Sequence, residues 1–107
     1  MKNLPMDLLR SFVSVAQLNS ITKAGELLGR SQPAITLQMQ RLEELVDETL
    51  LTRNGKNMDL SEAGDRFYEY ANQILSLNDL AVTEFSKSAV TGKIRLGIPS
   101  EFATVLL

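Results

Sequence analysis

Between Gln32 and Gln40 the chain sets polar side chains at helical spacing: Gln32, Thr36 and Gln40 stand four residues apart, with Pro33 and Leu37 beside the first two. Four residues is close to one helical turn, so on a helix these five share a face. A Gln amide can bridge adenine N6 and N7, a Thr hydroxyl serves either hydrogen-bond sense, and an apolar side chain can meet a thymine methyl. The chemistry on offer is the reading of base edges. The plain alternative is that Gln and Thr solvate a helix surface, and on the helix alone the two readings weigh equally. Leu37 tips the balance, because an outward apolar side chain in a polar row implies contact with something.

Cations bracket this segment. Arg53 and Lys56 flank the Asn54-Gly55 dipeptide, where long side chains can reach phosphates or a narrow minor groove. In isolation they read as an ordinary charged hairpin tip; beside a base-reading helix, backbone contact is the better reading. Ser20, Thr22 and Lys23 fall at a second helix start, where free amides and the helix dipole attract phosphate, and an N-cap role for Ser20 is compatible with that. Arg30 and Ser31 precede Gln32, and Arg41 follows the same segment, equally placed to pair with Glu44 or Glu48.

Catalysis has little to work with. The 107 residues contain no His and no Cys, which removes the usual zinc ligands, thiol nucleophiles and commonest general base together. No Gly-x-Ser-x-Gly elbow, phosphate-cradling Gly-rich loop or paired-acid motif is present, so the expectation is a protein that is not an enzyme and carries no metal or cofactor. The formal charge of −2 hides an uneven distribution. Residues 1–60 hold seven basic and seven acidic side chains, whereas 61–88 hold Arg66 and Lys87 against Glu62, Asp65, Glu69, Asp79 and Glu84. A surface that meets a polyanion therefore belongs upstream. No apolar run approaches the roughly 18 residues of a membrane span, and the N-terminus does not read as a signal peptide, so a cytoplasmic address is expected.

The elements that must position these residues follow from periodicity. Leu9, Phe12, Val13 and Ala16 form the stripe of an amphipathic helix from about Met6 to Asn19. Ser20 then caps a short helix that turns Ala24, Leu27 and Leu28 inward and stops at Gly29. Ser31 caps a third, with Pro33 tolerated in its first turn and Ile35, Met39, Leu42 and Val46 inward. Two short helices joined across Leu28-Gly29-Arg30-Ser31 have the helix-turn-helix form, spanning about 22–41. Asn54-Gly55 predicts a tight turn between two short extended arms, a wing. Ser61 caps a long helix that runs to about Ser88, some 28 residues or roughly 42 Å.

In that long helix Phe67, Ile74 and Ala81 recur every seven residues, with Tyr70, Ala71, Leu77 and Asn78 on adjoining faces. Its first two turns are expected to pack on the head of the same chain. Beyond Ile74 the helix outruns a head of about 60 residues, so its apolar stripe needs another partner, and a second copy is the economical one. Past Gly92, Lys93 to Ile98 alternates polar and apolar residues as a strand would.

These stretches together resemble the LysR-type transcriptional regulators: Met6-Asp7-Leu8-Leu9-Arg10-Ser11-Phe12-Val13, the Ser20-to-Leu28 helix, Ser31-Gln32-Pro33-Ala34-Ile35-Thr36 leading to Arg41-Leu42-Glu43, Leu50-Leu51-Thr52-Arg53, and Leu60-Ser61-Glu62-Ala63-Gly64. The resemblance covers essentially the whole chain. It implies a mainly α protein: a winged helix-turn-helix of three helices and a two-stranded wing over 1–60, a linker and dimerisation helix over 61–90, and over 91–107 the start of an otherwise missing effector-binding domain. Three positions depart from the family pattern: Leu51 where Phe is usual, Gly25 where Ala is usual, and Leu37 where Arg or another polar residue is frequent.

The leading expectation is a regulator that binds double-stranded DNA, and the two-fold symmetry of a dimer predicts that this DNA carries an interrupted inverted repeat. It would act as a homodimer or higher homo-oligomer and would contact RNA polymerase or occlude it; any effector would bind the missing domain. A winged-helix module that binds protein instead of DNA is the competing expectation, favoured by Leu37 and the balanced charge of the head.

Overall fold

A computed structural model describes residues 2–91. The strand expected at 93–98, and with it the effector-domain start at 91–107, lies outside the described residues apart from Thr91, which ends the last helix. The chain forms two compact units, Met1–Leu75 and Ser76–Leu107. The first contains α1 (Met6–Leu18), α2 (Ile21–Leu28), α3 (Gln32–Val46), the hairpin strands β1 (Leu51–Asn54) and β2 (Asn57–Leu60), and the beginning of α4 (Glu62–Thr91). The architecture is the mainly helical winged helix-turn-helix expected from the sequence.

Local chemistry accounts for each boundary. The Ser20 and Ser31 hydroxyls accept from the amides of Lys23 and Ala34, satisfying donors that have no partner within their helices. Gly29 ends α2 in the left-handed region at φ 70°, and Asn19 and Asp47 end α1 and α3 the same way. The Lys2 ammonium donates to the Leu45 carbonyl near the C-terminus of α3, where a cation is favourable.

The core of this unit joins Leu9, Phe12 and Val15 of α1 to Ala24 of α2 and to Ile35, Met39 and Leu42 of α3. Val46 and Leu28 are half-buried against it, as their phases require. Leu27 is a correction: it is 67% exposed rather than inward. Ile21, Ala24, Gly25 and Leu28 already fill the inward row at i, i+3, i+4 and i+7, which leaves Leu27 on the flank. Gly25 has its explanation in the same row. A Cβ there would lie 2.6 Å from the Arg30 carbonyl oxygen, so the turn approaches α2 too closely for Ala.

The wing is a two-stranded antiparallel hairpin in which Leu51 pairs with Leu60 and Asn54 with Asn57. Positive φ falls at Gly55 and not at Lys56, which places Gly55 first of the two central residues, as in a type II′ turn. Asn54 is therefore a strand residue, its amide donating to the Asp59 carboxylate at 2.9 Å. Leu51 is buried and fills the site where a larger ring is usual.

Helix α4 begins against the root of the wing. The Ser61 hydroxyl accepts from Gly64 N–H at 2.9 Å and donates to the Thr49 carbonyl, while Ser61 N–H donates to the Leu50 carbonyl. Phe67 meets Phe12 edge-on at 5.4 Å, and Ala71 and Leu75 are buried in the core. The first compact unit runs through Leu75, in keeping with the start of the long helix packing on the head. One expectation changes: Ala71, with 0% of its surface exposed, is buried in its own head and not exposed as the predicted dimer face requires. No helix among the described residues is long and apolar enough to cross a membrane.

Candidate nucleic-acid interface

The N-terminal half of α3 presents the residues singled out by their spacing. Gln32, Pro33, Thr36, Leu37 and Gln40 together line one shallow open depression on the surface. Thr36 is half-buried and the other four are exposed, Leu37 at 49%. Leu37 is thus an apolar side chain held in water within a row of hydrogen-bonding groups. Ile35, Met39 and Leu42 on the opposite side are buried, which fixes the rotation of the helix and so the row that faces out.

The opposite end of α3 is different in charge. Gln40, Glu43, Glu44, Asp47, Glu48 and Thr49 line a second open depression, and four of the six are acids. That end of the helix is negatively charged, whereas residues 32–40 carry no charged side chain, so the two halves present different potentials. Glu43 also works inward, one carboxylate oxygen accepting from Leu50 N–H at 2.8 Å and from Leu51 N–H at 3.1 Å. It thereby ties the third helix to the root of the wing.

Thr22 and Lys23 are exposed in the first turn of α2, and half-buried Ser20 caps it. Arg30 and Ser31 are exposed ahead of Gln32, the Arg30 amide donating to Gly25 at 2.8 Å across the turn. Arg53 is exposed on β1, and Lys56 sits exposed at the hairpin tip. Sequence reasoning missed Asn19, whose carbonyl accepts from Met58 N–H at 3.0 Å and whose side-chain amide donates to the Met58 carbonyl at 3.3 Å. Its only local signal was the tolerance of Asn for a left-handed helix end.

The predicted dimer residues divide between the units. In the first, Tyr70 is exposed, whereas Phe67 and Ile74 are half-buried against the head core. In the second, Leu77, Leu80, Val82 and Phe85 are exposed along with Ala81, and half-buried Asn78 donates to the Asp79 carboxylate at 3.1 Å. Leu80, Val82 and Phe85 are further exposed apolar residues that the seven-residue repeat did not single out. Among the described residues no three His, Cys, Asp or Glu side chains cluster to hold a metal.

Comparison with known proteins places this geometry. The chain is 39% identical over 106 residues to the HTH-type transcriptional regulator DgdR of Burkholderia cepacia, covering 99% of the chain and 36% of DgdR. It is 41% identical over 105 residues to the HTH-type transcriptional regulator PecT of Dickeya dadantii, covering 98% and 33%. The chain therefore spans about a third of the length of these two relatives. Its fold matches a crystal structure of the CbnR DBD in complex with DNA at a TM-score of 0.74 and 34% identity, over 80% of this chain and 99% of that one. The BenM DBD with catB site 1 DNA matches at 0.75 and 35%, over 80% and 96%. The model of the bacterial regulatory helix-turn-helix proteins of the lysR family matches residues 6–65, more than half of the chain, and the chain belongs to that family.

Proposed function

We propose that this chain is the DNA-binding and dimerisation part of a LysR-type transcriptional regulator of the bacterial cytoplasm. The observation that carries the reading is the outward row of α3, where Gln32, Pro33, Thr36, Leu37 and Gln40 share one depression at the uncharged end of the helix. In the major groove that row would read base edges, while Ser20, Thr22 and Lys23 at the start of α2, with Arg30 and Ser31, meet phosphates. Arg53 and Lys56 would bind backbone or minor groove beside them. Two copies joined through the exposed apolar residues of distal α4 would present two such helices to an interrupted inverted repeat, and transcription would follow from contact with, or occlusion of, RNA polymerase. No catalytic role or cofactor is proposed.

The exposed Leu37 is the one feature that would also suit a protein-binding module, so the deciding experiment is titration against duplex DNA across a salt series. Affinity that falls steeply as salt rises is the expected result; no binding at low salt overturns the reading in favour of a protein partner. Selection from random duplexes would then define the operator.

Two substitutions separate the roles. Gln32→Ala is expected to relax preference at one or two base pairs, by about 1–3 kcal/mol for a bidentate contact. A preference profile identical to the parent's would remove Gln32 from base recognition. Arg53→Ala should weaken cognate and random duplexes alike and lower the salt slope by about one, as loss of one phosphate contact requires. Weakening confined to the cognate site would show that the wing reads sequence.

A further inference from the structure

We propose that Asn19 is a positioning residue for DNA recognition, the clamp that holds the wing in register with the helix-turn-helix; this rests on the DNA-binding reading above. Asn54 and Asn57 flank the two-residue turn and form the first hydrogen-bonded pair of the ladder, so the next pair, Arg53 with Met58, is a non-hydrogen-bonded one. The Met58 N–H and C=O therefore point away from β1, toward the outer edge of the hairpin. Asn19 meets both. Its carbonyl accepts from Met58 N–H at 3.0 Å and its side-chain amide donates to the Met58 carbonyl at 3.3 Å, so a single residue pairs with the edge as a third strand would.

The left-handed conformation of Asn19, φ 54° and ψ 31°, brings the chain to this edge. The next residue is Ser20, the cap of α2. Asn19 thus joins the end of α1, the start of α2 and the strand opposite Arg53. The two groups proposed to meet DNA backbone, one at the α2 N-terminus and one on the wing, are held at a fixed separation by this junction. Without the side-chain bond the wing keeps its fold, its root at Glu43 and the packing of Met58 and Leu60 on the head core, but loses one of the two hydrogen bonds that fix its edge. Its cations then no longer sit in register with phosphates fixed by α2 and α3.

The test is Asn19→Gly, which keeps the left-handed backbone and the Met58 N–H bond while removing the side-chain donor. The expected result has three parts. The melting temperature stays near the parent's, amide exchange quickens in residues 53–60 but not in α1 to α3, and affinity for a random-sequence duplex at low salt falls about tenfold with a reduced salt slope. In an Arg53→Ala, Lys56→Ala background the same substitution should cost almost nothing, because the groups it positions are gone. Parent-like affinity of Asn19→Gly, or an equal loss in both backgrounds, overturns the positioning role while leaving DNA binding intact. A parent chain that binds no duplex at low salt overturns the DNA-binding reading itself, and unchanged wing exchange in Asn19→Gly overturns the clamp independently of DNA.

Discussion

Leu77→Asp is expected to turn the proposed dimer into monomers and to cut affinity for an operator with two half-sites by about a hundredfold, within the range that linked binding provides. Affinity for an isolated half-site should change by less than about twofold, since no DNA-facing group is touched. Leu77 is 68% exposed and belongs to the second compact unit, so its replacement leaves the head core intact. In a helix seam, however, the new carboxylate would be buried without a partner, which costs far more than the lost leucine contacts. Ile74, one turn earlier, is a poorer probe because it packs partly on the head. Sedimentation at tens of micromolar would follow assembly, and the thermal melt of the head would report its integrity. A monomeric parent, or a Leu77→Asp variant still dimeric, would remove this face of α4 from the interface.

The second large effect is on stability. In Gly64→Ala the new Cβ would stand 2.1 Å from the Leu50 carbonyl oxygen and 3.0 Å from its carbon, so backbone must move. That carbonyl accepts from Ser61 N–H, and the Leu50 amide is held by Glu43. Movement therefore strains the joints of α3, wing and α4 together. A loss of about 3 kcal/mol is expected, at the upper end of overpacking costs, and for a unit of this size that lowers the melting temperature by roughly 15–20 °C. Gly55→Ala is the contrasting case: nothing lies within 4 Å of its Cβ, but its φ of 64° disfavours any side chain, and about 1 kcal/mol is expected. Melting curves for both variants check the order. A Gly64→Ala protein that melts within a few degrees of the parent would mean that α4 can slide at its first turn.

What could be read from the sequence was what depends on neighbours along the chain. Ser20, Ser31 and Ser61 announced their helices because a cap acts on an amide three residues away, and Gly29 announced an end for a similar reason. The outward row of α3 followed from phase alone. Leu27 was misplaced because hydrophobicity marks candidates for burial but not which side of an eight-residue helix already has enough. Ala71 was misassigned for a related reason: a seven-residue repeat marks a face that is covered, without saying whether its own head or a second chain covers it. Nothing local announced the tertiary partners of Asn19 and Glu43, since Met58, Leu50 and Leu51 come close only when the fold is complete.

The edge-on pair of Phe12 and Phe67 joins the first helix of the head to a residue beyond the wing. During synthesis Phe12 therefore waits for most of the head to be made before its ring is covered. A nascent chain that has emerged only through β2 can pack α1 on α2 and α3 but leaves open the part of the core that Phe67, Ala71 and Leu75 cover, which closes when the first turns of α4 follow. The residues that complete the head are continuous with those proposed to recruit a second copy. Completion of the head core and emergence of the residues proposed to pair would then follow in quick succession on the ribosome.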